Sequence, residues 1–105
     1  MSAVSMSVSY FPKPGHEDAL LRLVLAHYPA LYAAGLATER PPQIWRAVDK
    51  RTGAAYFIEM FEWVSQEASD IAHRTPEVMA LWEPMGAHLD TMTLAQVEAI
   101  EPRLA

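Results

Sequence analysis

Few side chains in this sequence can do chemistry, and their spacing limits what each pair can do. Two glutamates stand three apart in Glu59-Met-Phe-Glu62. On a strand that spacing sends them to opposite faces, so they share neither a proton nor a metal ion. One of them is then buried, and a buried carboxylate needs a partner. Arg46, on the strand expected beside it, is the natural choice. Glu59 and Arg46 therefore read as an ion pair fixing the sheet, or as a base with its charge partner.

The four histidines, His16, His27, His73 and His88, show no metal-ligand spacing. His73 and Glu77 are four apart, but Pro76 between them breaks the helical register a metal pair requires. His73 reads either as a cap on backbone groups at a helix break or as a base beside a cleft. His27 falls in an apolar helical stripe, as a hydrogen-bonded core residue that could face the same cleft. His16 is expected in solvent, and His88 on the carbonyls ending the last helix.

Ser5, Ser7 and Ser9 line one side of a strand. Such small residues leave volume that neighbouring aromatics fill, or else a cavity with hydroxyl donors. In the second case Ser7 and Ser9 meet a small ligand, with Tyr10, Trp45, Tyr56, Trp63 and Trp82 as walls. No serine sits in a nucleophile elbow and there is no cysteine, which leaves hydrolase and thiol chemistry without support.

The elements that would position these groups follow from periodicity. Val4–Phe11 alternates, with Val4, Met6, Val8 and Tyr10 against the serines and Phe11, which is a strand. Pro12-Lys-Pro-Gly15 ends it and starts a helix carrying Leu20, Leu23, Val24, His27 and Leu31 on one stripe; Pro29 predicts a kink or a new segment, and Gly35 a stop. Residues 43–48 and 54–63 form a hairpin across the polar turn Asp49–Gly53. Ser65 is expected to cap a helix burying Ala68, Ile71 and Ala72. Thr75-Pro76-Glu77 restarts it, with Val78, Met79, Leu81, Trp82, Met85 and Leu89 as its apolar face and a bend at Pro84. A fourth strand is expected over Thr91–Ile100, and a loose tail from Pro102 to Ala105. The order β-α-β-β-α-β predicts one α+β domain over residues 1–105, a ferredoxin-like sandwich with an antiparallel sheet of order 4-1-3-2 and both helices on one face.

Composition bounds the rest. The 105 residues are 51% apolar and 20% charged, enough for one core and too apolar for disorder. A net charge of −5 disfavours nucleic acid or an anionic membrane as partner. No apolar run spans a bilayer, and Met1-Ser-Ala-Val4 has no secretion pattern, which predicts a cytoplasmic protein. Both sides of the strands are apolar: Tyr56, Ile58 and Met60 point one way, Phe57, Phe61 and Trp63 the other. Helices cover one side only, so a second copy is expected over the remaining face, giving a homodimer.

The run Glu59-Met-Phe-Glu-Trp63-Val-Ser65-Gln-Glu-Ala68, continued by Ala72-His73-Arg-Thr-Pro76-Glu-Val78 and Leu81-Trp82, resembles the dimeric α+β barrel superfamily, in its antibiotic-biosynthesis-monooxygenase-like branch. The opening Tyr10-Phe-Pro-Lys-Pro14-Gly15 is similar too. The resemblance implies two sheets facing each other as a barrel, and a small ligand, aromatic or polyketide-like, in a cleft between sheet and helices. It implies a monooxygenase that needs no metal or flavin, with His73 as base. A non-catalytic dimeric scaffold or ligand sensor is the alternative. In the haem-degrading branch a histidine at a similar place binds iron; here His73 stands three residues before Pro76 and serines replace that branch's asparagine, so a haem-binding protein is the weaker alternative and no cofactor is expected.

Overall fold

The computed structural model describes residues 2–100; the expected tail from Pro102 lies outside them. Strand β1 (Val4–Pro12) leads to helix α1 (Glu17–Ala33), the hairpin β2 (Gln43–Val48) and β3 (Ala55–Trp63), two helices α2 (Ala68–Ala72) and α3 (Pro76–Met85), and strand β4 (Leu89–Val97). The four strands form one antiparallel sheet, β2-β3-β1-β4, as the strand pattern predicts.

Registers place Val8 opposite Glu59 and Leu94, and Tyr10 opposite Phe57 and Met92. Period two then sorts the side chains. Val4, Val8, Tyr10, Phe57, Phe61 and Trp63 are buried on the face beneath the helices, against Leu20, Val24, Leu31, Ala68, Ala72 and Val78. The opposite face carries Ser5, Ser7, Ser9 and Phe11, with Tyr56, Ile58, Met60 and Trp45 beside them by register.

Local chemistry explains the boundaries and a few departures from expectation. Helix α1 runs through Pro29 as one element. The ring lies on the exposed side, and the carbonyl of Leu25 that it deprives of a partner belongs to a residue 53% exposed, so water can serve it. Gly35, at φ +75°, ends the helix: its N–H donates to Tyr32 O at 3.0 Å and Leu36 N–H to Leu31 O at 2.9 Å, a Schellman closure. That closure turns Leu36 and Ala37 back beneath the helix to run beside the end of β3. Asp49 Oδ1 accepts from the N–H groups of Arg51 (2.8 Å) and Thr52 (3.0 Å), shaping the hairpin turn.

The second helical region departs further. Ser65 is buried but is not the cap, because α2 starts only at Ala68 with Glu67 before it. Ile71 is 41% exposed, leaving Ala68 and Ala72 as the buried stripe. Thr75 does precede α3 with extended backbone, yet its hydroxyl donates back to Ile71 O at 2.8 Å, and only its carbonyl serves the new helix. Pro84 is accommodated within the last turn of α3. Strand β4 begins at Leu89 rather than Thr91, because an irregularity after Phe11 lets Pro12 pair with Leu89.

Candidate functional site

Between the three helices and strands β3, β1 and β4 lies a cavity of about 500 Å³. Tyr10, Phe61 and Trp63 come up from the sheet, His27 from α1, Ser69 and His73 from α2 and the turn after it, and Trp82 and Met85 from α3. Its volume lies in the range of small-molecule sites, and its walls are mostly apolar with few polar atoms.

Its back wall is a hydrogen-bonded chain. The Trp82 indole N–H donates to His27 Nε2 at 2.8 Å. His27 Nδ1 lies 2.9 Å from Glu59 Oε1, and the Tyr10 hydroxyl donates to that same oxygen at 2.6 Å. An indole can only donate, so His27 Nε2 accepts and the proton of the neutral ring sits on Nδ1, facing the carboxylate. His27 and Glu59 are 3% and 0% exposed, so neither bond competes with water. Burial, and then the charge and hydrogen bond of Glu59, push the Tyr10 phenol far above its ordinary pKa, which keeps it a donor. Glu59 Oε2 is buried without a partner among the described residues.

His73 also meets Trp82, edge-on at 4.7 Å between ring centroids. Its Nδ1 lies 2.8 Å from Ser69 O. A carbonyl only accepts, so in the neutral ring Nδ1 carries the hydrogen and Nε2 keeps its lone pair. The ring is exposed at the rim. The helix-break contact and the cleft position foreseen for His73 therefore coexist.

The other expected site residues divide by sheet face. Tyr10, Trp63 and Trp82 line the cavity. Ser7, Ser9 and Trp45 do not, because period two puts them on the face away from the helices; Trp45 is 45% exposed there. The serine row thus supplies no donors to this pocket. Arg46 is not the partner of Glu59. Register sets Ile44 opposite Glu59 and Arg46 opposite Phe57, and the guanidinium lies 5.0 Å above the Phe57 ring. Glu59 and Glu62 do face opposite ways: Glu62 accepts from the Thr38 hydroxyl at 2.8 Å and lies 3.7 Å from Arg40. Neither His16 nor His88 behaves as expected, since both are half-buried and their Nδ1 atoms meet at 2.9 Å. Among the described residues no group of three or more histidines and carboxylates could hold a metal ion.

The partnership of His27 with Glu59 was not anticipated. The helical stripe marks His27 as inward, but its partner is 32 residues away and depends on helix α1 crossing β3 at one particular height.

No family model and no curated protein matches the sequence. Solved structures do share its fold. An antibiotic biosynthesis monooxygenase superposes with a TM-score of 0.69 at 21% identity, over 93% of this chain and 99% of that one. SnoaB, a cofactor-independent oxygenase from Streptomyces nogalater, gives 0.69 at 11% identity, over 97% of each chain. A dimeric protein of unknown function and ferredoxin-like fold from Bacteroides fragilis gives 0.70 at 9% identity, over 92% and 96%. The ferredoxin-like fold of the antibiotic-biosynthesis-monooxygenase-like proteins is therefore also the fold of this chain.

Proposed function

We propose that this protein is a homodimer whose subunits each bind a small, electron-rich aromatic molecule between helices and sheet and oxidise it with dioxygen. One observation carries the reading: a cavity of about 500 Å³ walled by Tyr10, Phe61, Trp63 and Trp82, with two histidine rings among these aromatics. Flat apolar walls suit a planar ring, and the histidines offer a proton acceptor. The fold shared with a cofactor-independent oxygenase supports the reaction class.

In that reaction His73 Nε2 takes a proton from the substrate, and the resulting anion gives one electron to dioxygen. The radical pair combines to form a C–O bond, and the hydroperoxide then breaks its O–O bond. A ring-activated CH₂ becomes C=O, one oxygen atom is retained, and the other leaves as water with the two hydrogens. The substrate supplies all four electrons. Glu59, expected among the catalytic groups, acts from behind by orienting His27.

A thermal-shift panel of planar phenols tests binding, and oxygen consumption with the compounds that stabilise tests turnover. Binding is expected to survive His73→Ala while oxygen consumption falls about 10²-fold or more. Stabilisation without oxygen uptake would favour the non-catalytic ligand sensor. No stabilisation by any member of the panel overturns the reading of the cavity.

A further inference from the structure

We infer that His27 Nε2 is the subsite for a hydroxyl group of the ligand, and that the Trp82 indole N–H holds its place in the free protein. The inference rests on the aromatic-binding reading of the cavity and names which aromatics it selects: those that carry a free O–H.

The acceptor is built with unusual care for a group whose donor is only a wall residue. His27 is 3% exposed, and its ring is locked by a carboxylate that is itself 0% exposed and held by Tyr10. Burying a carboxylate and an imidazole together costs desolvation energy that their mutual hydrogen bond offsets only in part, and capping one indole N–H adds little for three polar groups in a core. What the arrangement does achieve is to aim a lone pair, Nε2, at the cavity with its tautomer set by Glu59.

The donor now on that lone pair is the replaceable member. Trp82 is only half-buried: it packs against the edge of the core and meets the exposed His73 ring, with 4.7 Å between ring centroids. A phenolic O–H arriving between Trp63 and Trp82 can donate to Nε2 in place of the indole, whose N–H, on a half-buried residue, then turns to water. The exchange swaps one hydrogen bond for another, so binding needs no buried donor or acceptor to go unpaired. A methyl ether of the same shape must leave the indole where it is, because it has nothing to donate. Should the bound O–H pass its proton to Nε2, the electron pair stays on the phenolate oxygen and Glu59, 2.9 Å from Nδ1, faces the new imidazolium charge.

The test compares 2-naphthol with 2-methoxynaphthalene, which differ at this contact by one O–H. In the wild-type protein naphthol is expected to bind a few-fold more tightly, since its bond replaces an existing one. In Trp82→Phe, which keeps a ring but removes the N–H, the preference is expected to widen to about tenfold, because Nε2 is left bare for the ligand. A readout independent of the variant is the Trp82 indole ¹H–¹⁵N resonance of the wild-type protein, which naphthol should shift and the ether should not. Equal binding of the two compounds, with no selective indole shift, overturns the inference and leaves the cavity reading standing. If neither compound binds, both fall together.

Discussion

Tyr10 shows how much of this site hangs on one hydroxyl. It donates at 2.6 Å to the oxygen of Glu59 that also faces His27, so removing it weakens the anchoring of the whole chain from sheet to Trp82. Tyr10→Phe keeps the ring that packs in the core and deletes only the donor. The expected cost is about 1–3 kcal/mol, the usual penalty when a buried charged acceptor loses a partner. The variant also predicts a pH signature. Burial first, and Glu59 next, raise the phenol's pKa in the folded chain above its unfolded value. Its stabilising contribution is therefore whole below about pH 10 and drains away as the pH climbs beyond, because the unfolded chain ionises there and the folded one does not. Chemical denaturation at pH 8 and pH 11 should show a smaller alkaline loss of stability for Tyr10→Phe than for the wild type. Equal losses would mean that other groups govern alkaline unfolding. The same hydroxyl bond orients His27, so the variant should lose some of the preference for naphthol over its ether even where it folds well.

At the scale of elements, two glycines with opposite backbone demands make the helix ends testable. Gly35 closes α1 at φ +75° with open space where a Cβ would stand, so Gly35→Ala meets no clash and its expected cost of about 1 kcal/mol is purely conformational. Gly86, after α3, has helical angles (φ −56°, ψ −32°), and an added Cβ would make ordinary contact at 3.6 Å with Glu83 O. Gly86→Ala is expected to stabilise by about 0.4–1 kcal/mol by restricting the unfolded chain. Thermal unfolding of the two variants should move the midpoint in opposite directions. Such end signals, together with alternation in β1 and β3, made the element order and sheet topology readable from residues alone. The site was less readable, for a geometric reason. Period two divides a strand's side chains into two sets but does not say which set the helices cover; Ser7, Ser9 and Trp45 were placed with the wrong set for that reason. Arg46 was misassigned by two residues of register: it shares a face with Glu59, but Ile44 is the residue directly opposite. Tyr10 and Trp63 line the cavity because they share the strand sets of Val8 and Phe61, which the helices cover, while Trp82 lies on the apolar stripe of α3 and His73 at the helix break. The His27–Glu59 contact needed the crossing of α1 over β3, which no local pattern encodes.

For the whole molecule the unresolved demand is the second sheet face. The chain exposes 7103 Å², about a fifth more than the ~5,900 Å² of a compact monomer of its mass. It is only 18 Å through its thinnest direction, one sheet and one helical layer. On the side without helices lie Phe11 and Tyr56, stacked at 4.7 Å, with Ile58, Met60 and the 45% exposed Trp45. In the proposed homodimer a second copy covers this apolar face with its own, by two-fold symmetry. Ile58 stands near its middle, opposite Ser9 on one neighbour and Trp45 on the other. Ile58→Glu would bring two uncompensated carboxylates into such an interface and weaken it by at least about 10²-fold, while one chain alone leaves them in solvent. Sedimentation at micromolar concentration should therefore give twice the 11.7 kDa chain mass for the wild type and a single chain for the variant. The variant should still bind naphthol, because the cavity is lined from the helix-covered side of the sheet. A wild-type protein that sediments as a folded monomer would refute the pairing and leave the pocket, built within one chain, untouched.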